Sequence, residues 1–243
     1  MRRGSSSILL FLIVAAIVLY FFWSSTSAPN RQIDRTFQSY PAESRPEHRR
    51  SEGTRREERM QAECSQFGIT CSSEYFGSWQ QPMDGACATT LSHGYPVPDL
   101  RCTPGGIDPR VTVDVLSNRA WRTGCIRNCQ TSEAEKHITY RWYGIRVPRR
   151  NYGESQVCEL DHLVPLELGG ADGLGNIWPE CGPLAVALDE RYFKIKDRVE
   201  NYLADEVKSG RMPLATAQRG IASDWTQYLD AANRYCAAGG RCD

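Results

Sequence analysis

The sequence predicts an α+β domain: mostly helical, disulfide-bonded, and built around one short β-hairpin. Three observations carry this expectation. Residues 158–180, CELDHLVPLELGGADGLGNIWPE, hold a short apolar strand, a Gly-rich turn and a second apolar run, which is the pattern of an antiparallel pair. Beyond residue 187 the apolar residues recur at alternating four and three spacing, the period of a helix with one buried face. All ten cysteines follow residue 63, and an even number in an exported domain argues for a disulfide framework.

At 243 residues and 41% hydrophobic composition the chain can hold one or two packed domains. Its formal net charge of zero conceals uneven segments. Residues 1–23 open with Arg2 and Arg3 and run apolar from Ile8 to Trp23, a stretch of sixteen residues. That exceeds a signal-peptide core of roughly 7 to 15 residues and falls short of the about 20 that a spanning helix prefers. Tyr20, Phe21, Phe22 and Trp23 suit a membrane interface, and Pro29 follows Ala28 at the one tempting cleavage site, so an uncleaved signal anchor is the reading. The arginines then lie on the cytoplasmic side, and the remainder is extracytoplasmic, periplasmic or, after cleavage, secreted. Residues 24–63 are rich in Arg, Glu, Ser and Pro with almost no aliphatic residues, and read as a mixed-charge linker.

Residues 64–101 mix Cys, Gly, Pro, Tyr and Trp without periodicity, as expected of a disulfide-stapled extension to a domain spanning 102–243. From Arg101 to Arg150 ten Lys and Arg face four Asp and Glu, interleaved with Trp121, Tyr140, Trp142 and Tyr143. Such a surface can hold a polyanion backbone without reading its sequence. The same aromatics suit a core beneath a solvated basic face.

In the hairpin, Pro165 lacks an amide proton, so the first strand ends just beyond Asp161 and His162. Gly169 and Gly170 permit the turn, and Asn176, Ile177 and Trp178 begin the return. Neighbouring side chains of a regular strand point to opposite faces, so Asp161 and His162 share a site only if the strand is irregular there. Cys158 and Cys181 are equally distant from the Gly169-Gly170 turn, and a bond between them would clamp the hairpin's open end. Zinc is the rival use of cysteine, with Cys125 and Cys129 as the nearest pair. The next helix places Leu188, Tyr192, Ile195, Val199, Tyr202 and Glu206 or Val207 on one stripe. Gly210 ends it, Pro213 suits the start of another, and Leu214, Ile221, Trp225 and Leu229 supply that helix's apolar side.

The strings DHLVPLELGG and NIWPE, with TPGGIDPRVT at 103–112, KDRVENYL at 196–203 and AQRGIASDW at 217–225, resemble a bacterial branch of the HNH nucleases. The resemblance implies a ββα-metal hairpin and helix, and metal-dependent hydrolysis of phosphodiester bonds leaving 5'-phosphate and 3'-hydroxyl ends. It implies His162 as general base, Asp161 as metal ligand and Asn176 as hairpin brace. A histidine with an ordinary pKa of about 6.5 can deprotonate water near neutrality, and a carboxylate suits a hard divalent ion. Mg2+ is the first choice of ion, with Mn2+, Ca2+ or Zn2+ as alternatives. One departure stands out: the helix position nine residues past Asn176 is Ala185, and no histidine follows His162. Asp197 is then the expected second ligand, with Glu200 and Asp189 behind it; its rival role is a surface charge paired with Lys194 or Arg198. DNA is the expected partner, RNA the alternative, the membrane a second partner through the anchor, and no protein partner is indicated. A different class of reading is an envelope protein that binds nucleic acid or another polyanion without turnover. A third is a structural envelope module with no polyanion affinity.

Overall fold

The computed structural model describes residues 59, 62–69 and 79–242. The anchor, and the linker apart from residues 59, 62 and 63, lie outside the described residues. Among the described residues no helix is long and apolar enough to cross a membrane.

Helices and strands are mixed, and disulfides tie them together, as an α+β domain requires. Among the described residues there are two small antiparallel sheets, each of two strands. The first joins β1 (Thr90–Ser92) to β2 (Tyr95–Val97). The second joins β3 (Cys158–His162) to β4 (Ile177–Cys181), with Cys158 opposite Cys181 and His162 opposite Ile177. Between the sheets lie α1 (Val113–Ser117), α2 (Glu133–Lys136) and α3 (Ile138–Trp142). After β4 come α4 (Tyr192–Lys208), α5 (Leu214–Asp224) and α6 (Leu229–Ala237).

The β3–β4 hairpin follows its sequence. The strand stops at His162, Pro165 leads into a 3-10 turn at Leu166–Leu168, and Gly169 closes it at φ +73°. Gly170 is needed for space: a Cβ there would stand 1.8 Å from the Val164 carbonyl oxygen. The Cys158–Cys181 disulfide closes the open end across 23 residues. Cys125 is bonded to Cys64, and Cys129 is in a disulfide as well, so neither serves a zinc site.

α4 departs from the expected stripe. Val199 and Val207 are buried as expected, but Phe193, Lys196, Leu203 and Ala204 complete the buried face, while Ile195 and Tyr202 flank it. Leu188 falls before the helix, in a 3-10 turn. The face is rotated because a lysine occupies an interior position, which apolar spacing cannot reveal. The α5 expectation holds: Ile221 and Trp225 are fully buried, and Gly210 terminates α4 at φ +74°. α5 is fastened to the hairpin turn by Gln218, whose amide donates to the Leu168 carbonyl at 2.8 Å.

The described parts of the stretch 64–101 are knit into the same core. Cys64 and Ile69 are buried in the main apolar cluster, the Trp225 indole donates to the Pro96 carbonyl at 3.0 Å, and Cys87–Cys102 crosses residue 101. Trp121, Tyr140, Trp142 and Tyr143 are all buried, so the four aromatics of the basic segment are core and offer no stacking platform.

Candidate active site

A cleft of about 210 Å³ is lined by Asp161, His162, Asp197 and Glu200, together with Glu159 and Arg127. Asp161 and His162 therefore share a site although the β3 ladder remains regular through both. No bulge is required, because His162 is the last residue of the strand and each side chain engages a different element.

His162 is nearly buried, and its Nε2 lies 2.7 Å from Oδ1 of Asp172, in the Gly-rich turn. A carboxylate only accepts, so the neutral ring donates from Nε2 and carries its lone pair on Nδ1, which has no partner among the described residues. Burial pushes the imidazole below its usual pKa, against the opposing pull of Asp172, and keeps it neutral and basic near neutrality. Asp172 is itself gripped by the Lys136 ammonium at 3.0 Å and by the backbone N–H of Asn128. The origin of this arrangement is local: Ser132 and Glu135 form a capping box that starts α2, and its last residue, Lys136, is thereby buried against the turn. Lys136 also donates to Asn128 Oδ1 at 2.9 Å and pairs with Glu133 at 3.0 Å.

Asp161 points to a second buried lysine. Lys196 Nζ lies 2.7 Å from Asp161 Oδ2, donates to the His162 carbonyl at 2.9 Å, and pairs with Glu200. Burial opposes this ammonium, but Asp161, Glu200 and Glu180 outweigh it and hold its pKa above the ordinary lysine value. The acids nearby outnumber it. Glu180 is fully buried, and neither carboxylate oxygen has a hydrogen-bond partner. Burial, with Asp161 close by, raises its pKa well above the carboxylate range. Glu200 is raised for the same first reason, partly countered by Lys196. Glu159, directly opposite Glu180 in the ladder, is pushed by burial up to about 7.

Asn176 braces the hairpin: its Oδ1 accepts from the Val164 N–H at 2.9 Å, and its Nδ2 donates to the carbonyls of Val164 and Ala171, each at 2.8 Å. Asp197 lines the cleft but is held by Lys194 at 2.6 Å. Asp189 contributes only its backbone, as acceptor for Arg198, and is not part of the cleft lining.

Asp161 and Glu200, with Asp197 beside them, are the residues that could hold a divalent ion, since carboxylate oxygens suit a hard cation. Among the described residues no three His, Cys, Asp or Glu side chains are gathered as ligands, and Lys196 stands between Asp161 and Glu200. The oxygen donors suit a hard cation in kind, while the buried Lys196 ammonium holds the position between them in this structure.

Asp172, Lys136, Lys196, Glu159 and Glu180 were not among the site residues expected from sequence. Asp172 reads as an ordinary turn residue, ten positions after His162; Lys196 and Glu200 both fall in KDRVENYL, where their i, i+4 spacing was the available signal. A larger cavity of about 800 Å³, lined by Trp79, His137, Arg141 and Leu174 among others, includes none of the expected site residues. No family model, curated protein or solved structure matches the chain.

Proposed function

We propose that the chain is a divalent-metal-dependent nuclease that hydrolyses DNA phosphodiester bonds, outside the cytoplasm. The observation that carries this reading is the pairing, in one cleft, of Asp161 with a neutral His162 whose Nε2 is taken by Asp172. His162 Nδ1 accepts a proton from water directed at phosphorus, and the Asp172 carboxylate stabilises the imidazolium that forms. Lys136 keeps Asp172 in place through that proton transfer. Asn176 fixes the turn that carries Asp172 relative to the strand end that carries His162. Asp161 and Glu200, with Asp197, would hold the ion, which supplies charge neutralisation at the phosphate when bound. The disulfides favour an oxidising compartment, consistent with export.

The test is plasmid nicking by the full-length oxidised chain with added Mg2+ or Mn2+. Wild type is expected to nick and EDTA to stop it, while His162→Ala loses about a hundredfold or more of the rate, the usual contribution of a general base. Equal rates in wild type and His162→Ala, with unchanged circular dichroism, would remove the assignment. DNA retention without nicking, unchanged by the substitution, would instead favour a binding protein.

A further inference from the structure

We propose that Arg127 is the phosphate anchor of this cleft, gripping the DNA backbone beside the bond to be cut, with Arg241 as a second contact on the rim. This rests on the reading of the cleft as a phosphodiester site and adds how the polyanion is held over an acidic floor.

Five of the ten cations of the 101–150 segment are committed elsewhere. Arg101, Arg110 and Arg141 are paired with Asp99, Asp108 and Asp84. Lys136 is buried on Asp172, and Arg122 donates to the backbone carbonyls of Arg119 and Trp121. Arg127 is different: its guanidinium has no ion-pair or hydrogen-bond partner among the described residues, it is exposed, and it lines the cleft with His162. Arg119, Arg146, Arg149 and Arg150 do not line that cleft.

The backbone beneath Arg127 is fixed before any ligand arrives. Cys125, two residues before, is bonded to Cys64, and Cys129, two residues after, is also in a disulfide. The Arg127 N–H donates to the Thr123 carbonyl at 3.0 Å. The next residue, Asn128, adopts φ +60° and donates its N–H to Asp172, the carboxylate that orients His162. One anion thus sets both the base and the segment bearing the guanidinium, so a phosphate bound by Arg127 is registered against His162 through one peptide bond and two hydrogen bonds. Arg241 arrives from the chain's end, inside the Cys236–Cys242 loop, and pairs with Glu167 on the cleft lining at 2.7 Å. A planar guanidinium with several N–H donors matches two phosphate oxygens at once, which a lysine ammonium does not.

The experiment is fluorescence anisotropy of a fluorescein-labelled duplex DNA oligonucleotide with the full-length oxidised chain, in EDTA so that binding is read without cleavage. Arg127→Ala is expected to raise Kd about tenfold or more and to reduce the slope of log Kd against log salt by about one. Arg127→Lys should restore the salt slope but only part of the affinity. Arg241→Ala should give a smaller loss, because that guanidinium already has a carboxylate partner. Arg149→Ala, off the cleft, should bind as wild type. Arg127→Ala binding as tightly as wild type, Arg149→Ala weakening it equally, or no binding by wild type would each overturn the anchor. Arg127-dependent binding without nicking would sustain the anchor and sink the nuclease reading. Nicking with Arg127-independent binding would do the reverse.

Discussion

The two buried lysines on either side of His162 solve the same problem in opposite ways. Lys136 serves Asp172, whose carboxylate receives three donors: the ammonium, the Asn128 N–H and the imidazole. Everything there is paired, and the result is a fixed ring with a defined tautomer. Lys196 faces Asp161 and Glu200 directly, with Glu180 and Glu159 close enough to shift one another's protonation, and Glu180 has no hydrogen bond. A satisfied network orients; an under-compensated one must take up protons or cations, because several anions cannot share one ammonium in a region of low dielectric. In the proposed function the first network positions the base, and the second is where the ion's charge would be held.

Breaking each network separates the two cases. Asp172→Ala strands a buried ammonium and is expected to cost about 3 to 5 kcal/mol in denaturant unfolding, with no recovery on acidification. Lys196→Met leaves the acids without a cation and raises the folded-state pKa values of Glu180 and Glu200 further. A carboxyl whose folded pKa is raised contributes stability that is present below the unfolded value and lost as pH rises through the folded one. Lys196→Met is therefore expected to be far less stable than wild type at about pH 8 and close to it at about pH 5. Similar losses at both pH values would show that the acids do not adjust, and the contrast would fail.

A smaller effect tests the clamp behind both networks. Replacing Cys158 and Cys181 together by Ser is expected to cost about 3 kcal/mol, the chain-entropy value for a closed loop of this size, with Asn176 still holding the turn. Smaller again is Glu159→Gln. With its folded pKa at about 7 against an ordinary 4.5, Glu159 is stabilising while protonated and costs stability once ionised in the fold. The glutamine variant should gain up to about 2 to 3 kcal/mol at about pH 8, and the gain should shrink below about 1 kcal/mol near pH 5. Thermal melts at the two pH values check it; a gain of equal size at both would mean that Glu159 does not titrate between them.

The parts of the site that were legible in the sequence are those set by local chemistry. Pro165 stops a strand, Gly169 and Gly170 make a turn, an Asn amide can brace it, and two cysteines equidistant from the turn can meet. The illegible parts are long-range. Lys136 and Lys196 look like solvated helix charges, and only the folded packing shows that each is interior. Asp172 looks like a turn residue because its partners come from segments 36 to 44 positions before it, at Lys136 and Asn128, as well as from the strand. Asp197 pairs with Lys194 while lining the cleft, and the aromatics among the basic residues went to the core, where burying a large ring outweighs exposing it.

The most direct test of the central claim is the pH dependence of kcat/KM for DNA nicking by the oxidised chain. If His162 is the base, the rate falls on acidification along one limb whose midpoint lies below the ordinary histidine value of 6.5, because burial lowers this ring's pKa. Asp172→Asn should lower the plateau, and His162→Ala should abolish both plateau and limb. A rate that does not fall on acidification, or a limb retained in His162→Ala, would contradict the account.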